Sequence, residues 1–312
     1  MKDKIFVALS TFSEYGDEPL NILNKSGIDY HVNPLGRRLV KQEIMNMGGD
    51  ATGIIAGVEP YNAEVLRELT KLKCISRAGV GIDNIDLNFA RERNISIRNT
   101  PDVVIRPVAE LTLAMIFDLL RKTTFHTILL KERRWEKSAG SLLFGKTVGI
   151  VGTGRIGKKV AELLNKLGAN IIACDVVLDD EEWADRNSVE YISFEKLLSL
   201  ADIISLHASP DADELPLIGE DEIKILKRGV MIINTSRGDI IDEAALCEGL
   251  ASGKVSAVGM DVFLEEPYKG KLIDFDNVVL TPHLATLTKE SRLEMEIQAT
   301  QNLLIKLNQN KE

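Results

Sequence analysis

The sequence predicts an α/β protein with two doubly wound parallel sheets, and two features of the chain carry that prediction. Short apolar runs alternate with helix-like stretches before residue 100, and the same alternation starts again at residue 147. Alternation of this kind is typical of a parallel sheet with helices on both faces. The chain has 312 residues, which is long enough for two domains of about 150 residues each.

The strands of the first sheet are predicted at residues 5–9, 30–33, 53–57, 74–77 and 95–98. Those of the second are predicted at residues 147–151, 170–175, 202–206, 230–234, 255–260 and 278–281. Between them, residues 108–120 are almost all Ala, Leu, Met, Ile and Phe, which predicts a helix buried on most sides at a domain or subunit interface. A terminal helix that packs back on the first domain is predicted from Leu293, Ile297, Leu304 and Leu307.

The predicted domain boundaries follow from these elements. The chain crosses between domains twice, near residues 100 and 285, so one domain takes residues 1–100 with 285–312 and the other takes residues 101–284. We expect a cleft between them, with the two crossings as a hinge. Ligands of open α/β sheets bind outside the carboxyl ends of the strands, and we therefore expect the functional residues at strand ends.

A dinucleotide-binding loop is predicted at the start of the second sheet. Its first strand runs into Gly152-Thr-Gly-Arg-Ile-Gly157, a G-x-G-x-x-G pattern, and an apolar stripe at helical spacing follows. We expect Gly152 to make the tight turn, Gly154 to allow close approach of a pyrophosphate, and Gly157 to let the helix pack on the strand. The backbone of Arg155 and Ile156, at the start of the helix, would then contact the pyrophosphate.

Asp175 ends the next predicted strand, 18 residues after Gly157. A carboxylate at this place accepts hydrogen bonds from the adenosine ribose and repels a 2′-phosphate, which favours NAD over NADP. The alternative is an ordinary strand-to-helix turn with Asp175 as a surface acid.

Composition limits the partners. The net charge of −9 argues against non-specific binding to nucleic acid or to an anionic membrane, so a small-molecule partner is expected. Cys74, Cys174 and Cys247 lack metal-type spacing, which predicts no metal site and a reducing compartment. The N-terminus shows no apolar run long enough for a signal peptide or a membrane span. We therefore expect a cytoplasmic protein.

Three further segments, residues 234–242, 259–267 and 280–283, follow predicted strands of the second sheet. Together with the glycine loop they resemble the D-isomer-specific 2-hydroxyacid dehydrogenases. Residues 77–86 and 99–101 resemble the phosphoglycerate dehydrogenase branch of that family. The resemblance covers nearly the whole chain and implies a flavodoxin-like substrate domain and a Rossmann NAD domain. It also implies a homodimer, because residues 131–135 resemble the family's arm that reaches across to a second nucleotide domain.

The resemblance also implies a catalytic set. His283 is the expected general acid and base, and Glu266 is expected to hydrogen-bond the far nitrogen of its ring. Arg237 would present a planar guanidinium to the substrate carboxylate. A second anchor for that carboxylate is implied in the backbone N–H groups of Ala78, Gly79, Val80 and Gly81.

Further cofactor contacts are implied at Thr235 and Asp261, with Asp261 holding the nicotinamide amide. The alternative for Asp261 is a structural acid at a strand end. His207 matches a histidine that follows a strand in the family, and we expect it to be structural or adjacent to the cofactor.

One departure from the family concerns the substrate. In the phosphoglycerate branch an Arg-Ser pair after the third strand binds the substrate phosphate, whereas Gly57 stands here where the arginine would be. Arg37 and Arg38, at the end of the second strand, could supply a replacement anion site. If both are instead solvated turn residues, an uncharged tail such as that of hydroxypyruvate is expected.

The function predicted from these features is an NAD-dependent oxidoreductase that interconverts a small D-2-hydroxy acid and its 2-oxo acid, with 3-phosphoglycerate or a similar anionic compound as the leading substrate class. A second possibility is a glyoxylate or hydroxypyruvate reductase. A different class of protein, an NAD-sensing binding protein of corepressor type, shares the fold and even the Arg, Glu and His. The acidic charge balance counts against it.

Overall fold

The computed structural model describes residues 2–177, 180–209 and 216–309. Its strands are, in chain order, β1 Lys4–Val7, β2 Asp29–Val32, β3 Gly53–Ala56, β4 Cys74–Arg77, β5 Ser96–Arg98, β6 Thr147–Val151, β7 Asn170–Cys174, β8 Val189–Tyr191, β9 Ile203–Leu206, β10 Val230–Asn234, β11 Val255–Met260 and β12 Val278–Leu280. Its α-helices are α1 Glu18–Ser26, α2 Lys41–Gly48, α3 Ala63–Glu68, α4 Leu87–Glu92, α5 Ile105–Arg121, α6 Thr123–Lys131, α7 Arg155–Lys166, α8 Glu181–Arg186, α9 Phe194–Leu200, α10 Glu220–Ile225, α11 Glu243–Ala251 and α12 Lys289–Gln309. The two-sheet α/β class predicted from the sequence is confirmed.

The chain divides into two compact units. The smaller unit comprises Met1–Val104 with Thr286–Glu312, and the larger unit comprises Ile105–Ala285. In the smaller unit all strands are parallel in the order β2-β1-β3-β4-β5, which is the flavodoxin order. Its central strands are buried on both faces, as the continuous apolar runs at residues 5–9 and 53–57 require.

The larger unit contains a parallel sheet in the order β12-β11-β10-β9-β6-β7-β8. The chain reverses direction across the sheet between β6 and β9, so the ends of these two strands form the switch point of a dinucleotide-binding fold. The glycine loop follows β6 directly. Helix α5 packs on α7 and on β10, β11 and β12 through Val108, Ala109, Thr112, Met115, Ile116, Leu119 and Leu120.

Local sequence explains where several helices begin. Each has a preceding Asn, Asp or Ser whose side chain accepts a hydrogen bond from a backbone N–H of the first turn. The capping residues are Asn62, Asp86, Asp180, Ser193 and Asp242.

The predicted terminal helix that packs on the first domain is confirmed, but three of the four residues that indicated it are only partly buried. Helix α12 contacts α1, β3, β4 and β5 within the smaller unit. Its buried apolar residues are Met295, Ala299, Leu303 and Leu307, and of the predicted stripe only Leu307 is fully buried. Among the described residues, no helix is both long enough and apolar enough to cross a lipid bilayer.

Candidate active site

The candidate catalytic residues follow three neighbouring strands of the larger unit. Strands β10, β11 and β12 are parallel, and their last residues stand in register, Asn234 with Met260 and Met260 with Leu280. The carboxyl ends of the three strands therefore meet at one edge of the sheet. The segments that carry Arg237, Glu266 and His283 all leave the sheet at that edge.

His283 and Glu266 form a hydrogen-bonded pair. The Nδ1 atom of His283 lies 3.0 and 3.1 Å from the two carboxylate oxygens of Glu266. The backbone N–H of Phe263 donates to Oε1 of Glu266 at 3.2 Å, which helps to fix the carboxylate. Because Nδ1 faces Glu266, Nε2 is the ring nitrogen left for a reacting group.

Asp261 holds the loop that presents His283. Its side chain is fully buried, and the carboxylate accepts hydrogen bonds from the Thr281 hydroxyl at 2.5 Å and from the N–H groups of Leu284 and Ala285 at 2.7 and 2.9 Å. The Asp261 carbonyl also accepts the N–H of His283 at 2.9 Å. These contacts support the structural alternative for Asp261 rather than the nicotinamide contact.

Asn234, a residue that the sequence left without a role, shapes the turn before Arg237. It is fully buried at the end of β10, and its Nδ2 donates to the Arg237 carbonyl at 2.7 Å while Oδ1 accepts the N–H of Ser236 at 3.0 Å. Side-chain amides that bond their own turn in this way are a common signal at strand ends. Thr235, the predicted cofactor contact, is buried, and its hydroxyl lies 2.9 Å from that of Thr112 on α5.

The glycine loop combines a tight turn with an open helix start. Gly152 has φ +90°, and a Cβ there would lie 2.6 Å from the backbone nitrogen of Ala208. A Cβ on Gly157 would lie 2.0 Å from the Gly152 carbonyl oxygen, so this position holds the helix against the strand end. A Cβ on Gly154 would meet no heavy atom of the described chain within 4 Å. The backbone at Gly154, where α7 begins with Arg155 and Ile156, is therefore open to a phosphate.

Asp175 closes the other side of this loop. Its Oδ2 accepts the N–H and the hydroxyl of Thr153 at 2.5 and 3.0 Å, and its Oδ1 accepts the N–H of Val177 at 3.2 Å. Partial burial alone would raise the pKa of Asp175, but the N–H groups of Thr153 and Val177 outweigh it and lower the pKa. The carboxylate is ionised at neutral pH, and this fits a ribose diol better than a 2′-phosphate.

His207 lies beneath the glycine loop. Its Nε2 is 2.8 Å from the hydroxyl of Ser205, and a Cβ on Gly157 would lie 3.3 Å from the His207 Cβ. Desolvation lowers the pKa of His207 to about 4, so the ring is neutral at physiological pH. The sequence expectation of a structural or cofactor-adjacent histidine agrees with this position. Its hydrogen bond to Ser205 could not be inferred from the sequence.

In the smaller unit, the proposed carboxylate anchor follows β4. Two of its four N–H groups already have protein partners, since Ala78 donates to the Ala56 carbonyl and Gly79 to the Thr100 hydroxyl, each at 2.8 Å. Within the described chain, no backbone carbonyl accepts the N–H of Val80 or of Gly81 in a loop hydrogen bond. These two are therefore the N–H groups that we expect a substrate carboxylate to use.

The two arginines of the predicted anion site have different partners. The Arg37 guanidinium forms a two-point ion pair with Glu43, with Nη2–Oε1 and Nη1–Oε2 distances of 2.6 and 3.0 Å. Arg38 donates from Nη2 to the backbone carbonyl of Val58, in the loop after β3. Arg37 is thus engaged elsewhere, and only Arg38 reaches the loop after β3. Among the described residues, no group of three or more His, Cys, Asp or Glu is arranged to hold a metal ion.

Comparison with known proteins identifies the family of the chain. Residues 113–285 match the family described as the D-isomer specific 2-hydroxyacid dehydrogenase, NAD binding domain. The chain is 39% identical over 254 residues to D-3-phosphoglycerate dehydrogenase of Bacillus subtilis, covering 80% of this chain and 48% of the relative. It is 37% identical over 276 residues to hydroxypyruvate reductase of Thermotoga maritima, covering 86% of this chain and 89% of the relative.

The fold is shared with solved structures of the same kind. A glyoxylate reductase from Paecilomyes thermophila superimposes with a TM-score of 0.86 at 29% identity, covering 97% of this chain and 94% of the other. The chain spans about half the length of the Bacillus phosphoglycerate dehydrogenase (48%) but nearly all of the Thermotoga hydroxypyruvate reductase (89%). The family match extends over most of the larger unit, and the chain therefore belongs to the D-isomer-specific 2-hydroxyacid dehydrogenase family.

Proposed function

We propose that this protein is an NAD-dependent D-2-hydroxyacid dehydrogenase, which interconverts a small D-2-hydroxy acid and its 2-oxo acid. The observation that carries the proposal is the His283–Glu266 pair at the same sheet edge as the Arg237 segment. The glycine loop and the ionised Asp175, in the same unit, suit NAD.

The residues of the larger unit suit reduction of an oxo acid as follows. When bound, NADH supplies a hydride to C2 of the oxo acid, and negative charge then grows on the carbonyl oxygen. His283 donates its Nε2 proton to that oxygen, while Glu266 stabilises the charged ring and keeps the proton on Nδ1. Arg237 binds the substrate carboxylate and keeps its charge at any working pH. In the oxidation direction, neutral His283 accepts the hydroxyl proton.

The smaller unit contributes backbone donors. We assign the second contact of the substrate carboxylate to the N–H groups of Val80 and Gly81, because those of Ala78 and Gly79 are already used within the protein. Backbone N–H groups in a glycine-containing turn form a concave site that suits an anion.

The relatives include enzymes with two kinds of substrate, a phosphoglycerate dehydrogenase and a hydroxypyruvate reductase. A steady-state assay of NADH oxidation against a panel of 2-oxo acids tests the proposal. We expect turnover of at least one of pyruvate, glyoxylate, hydroxypyruvate and phosphohydroxypyruvate, and slower reaction with NADPH than with NADH. Tight NADH binding without turnover of any 2-oxo acid would instead support the corepressor-type alternative.

We also propose a homodimer. Six large apolar side chains between residues 117 and 144 are exposed in the single chain, and two of them, Trp135 and Phe144, are 80% and 77% exposed. The others are Phe117, Ile128, Leu130 and Leu142. Apolar side chains concentrated in one stretch of chain commonly mark a protein interface. Sedimentation equilibrium should give a dimer at micromolar concentration, and a stable monomer there would contradict the proposal.

We propose a cytoplasmic location because the cysteines are unpaired and protonated. None of the three forms a disulfide, and burial raises the pKa of the Cys74 thiol to about 11 and that of Cys174 to about 12. Protonated, unpaired thiols suit a reducing compartment.

A further inference from the structure

Glu59 is a buried carboxylate in the smaller unit to which the proposed mechanism gives no part. It lies in the loop after β3 and is 3% exposed. Its Oε2 accepts the N–H of Gly57 at 2.8 Å. Burial raises the pKa of Glu59, although the N–H groups of Glu59 and Gly57 and the positive charges of Arg38 and Arg77 act in the opposite direction.

The loop that contains Glu59 adjoins the proposed carboxylate anchor. Ala56, the last residue of β3, stands opposite Arg77, the last residue of β4. Asn84, which follows the anchor, donates from Nδ2 to the carbonyls of Gly57 and Glu59 at 3.2 and 2.6 Å. Both loops therefore lie at the same carboxyl edge of the sheet, where ligands of this fold collect.

The N–H of Gly57 is a donor that an incoming anion could use, but the Glu59 carboxylate already occupies it. The Glu59 carboxylate also lies close to the Gly57 backbone, because a Cβ on Gly57 would lie 3.2 Å from Oε1 of Glu59 and 2.8 Å from Cδ2 of Leu9. Arg38, the one arginine of the predicted anion site that reaches this loop, bonds the Val58 carbonyl and offsets the charge of Glu59. An anion placed here would find the Gly57 N–H already bonded to Glu59. The negative charge of the Glu59 carboxylate would also repel it in partly desolvated surroundings.

We propose that Glu59 is a specificity-determining residue of the substrate unit, which disfavours 2-oxo acids with a phosphate or a second carboxylate at the far end and favours those with an uncharged far end. The inference rests on the proposed function, because it concerns the far end of the same substrate. It points to a hydroxypyruvate-like or glyoxylate-like substrate class and away from phosphohydroxypyruvate.

The test compares kcat/KM for hydroxypyruvate and phosphohydroxypyruvate, with NADH, in the wild type, Glu59→Gln and the control Glu64→Gln. The glutamine side chain of the first variant would retain an acceptor for the Gly57 N–H without the charge. Glu64 is an exposed acid of the same unit, paired with Lys41 at 3.0 Å. We expect the wild type to prefer hydroxypyruvate by about tenfold or more, and Glu59→Gln to shift the ratio toward phosphohydroxypyruvate by about tenfold. Glu64→Gln should leave the ratio unchanged.

Two results would overturn the inference. One is a wild type that uses phosphohydroxypyruvate as well as hydroxypyruvate, a comparison that needs no variant. The other is a Glu59→Gln protein that unfolds thermally like the wild type and shows the same ratio of kcat/KM for hydroxypyruvate over phosphohydroxypyruvate. Arg38→Ala gives an independent check, since a loss of tenfold or more confined to phosphohydroxypyruvate would assign Arg38 as an anion site and contradict the role of Glu59. Failure of the wild type with every 2-oxo acid would contradict the proposed function itself.

Discussion

At the level of single residues, we expect cofactor choice to depend on the charge of the Asp175 carboxylate. Asp175 accepts hydrogen bonds from Thr153 and Val177, which lower its pKa against the effect of burial. The carboxylate is therefore charged whenever a cofactor binds, and it would repel a 2′-phosphate. This consequence rests on hydrogen bonds that the sequence did not reveal.

Replacing Asp175 should weaken the preference for NADH. We expect Asp175→Ala to raise KM for NADH by about tenfold, the size of one charge-assisted hydrogen bond, and to narrow the ratio of kcat/KM for NADH over NADPH. The measurement is kcat/KM for both cofactors, with Glu190→Gln, an exposed acid on β8, as the control. A wild type that prefers NADPH would show the assignment to be wrong.

His207 should make the stability of the protein sensitive to acid. The unfolded histidine has a pKa near 6.5, and desolvation lowers the folded pKa to about 4. Between these values the unfolded chain binds a proton that the folded chain does not bind, so the free energy of unfolding falls as the pH is lowered. The stabilising contribution of neutral His207 is complete only above about pH 6.5.

Thermal unfolding of His207→Gln measures this contribution. We expect the melting temperature of the variant to fall less than that of the wild type between about pH 7 and about pH 5. His126→Gln, which alters a surface histidine bonded to Ser138, is the control. Equal losses in the wild type and in His207→Gln would show that His207 is not the titrating group.

At the scale of elements, the loop after β12 is shaped by the loop after β11. Asp261 follows β11 and binds Thr281, Leu284 and Ala285 around His283, whose φ is +55°. This backbone conformation is uncommon for a residue other than glycine and needs support from its surroundings. We infer that Asp261 is a positioning residue for His283.

Asp261→Asn should separate a positioning role from a cofactor contact. The amide has the same shape but cannot accept all three hydrogen bonds, so we expect kcat to fall by about tenfold or more while the Kd for NADH stays within about threefold. NADH binding is measured by fluorescence titration. A large rise in Kd with kcat retained would instead support the nicotinamide contact.

Local patterns were enough to predict most elements, whereas details set by distant contacts were not. The glycine loop is encoded within residues 147–175, and the tight turn at Gly152 and the close packing at Gly157 agree with the local geometry. Strand β8 was missed because it has three residues at a sheet edge and only Val189 among them is buried. The burial of Glu296 on α12 could not be predicted, because its carboxylate accepts the N–H of Ser13, a residue distant in sequence, at 2.8 Å.

At the scale of the whole molecule, the order of motifs along the chain was a better guide than any single motif. A histidine after a proline or an arginine before a glycine is common, but Arg237, Glu266 and His283 follow successive strands of one parallel sheet. Strand order therefore brings to one edge residues that the sequence separates by up to 46 positions. The burial of Glu59 could not be predicted, because nothing in the local sequence distinguishes a buried carboxylate from an exposed one.

We propose that His283 transfers the proton in an NAD-dependent reduction, and the kinetics of His283→Asn with the preferred 2-oxo acid test this role. Asparagine cannot act as a general acid, so kcat should fall by about 10² to 10⁴-fold, while the Kd for NADH, measured on the same protein, stays within about twofold. A His283→Asn enzyme that retains kcat within about threefold of the wild type would show that His283 is not the general acid.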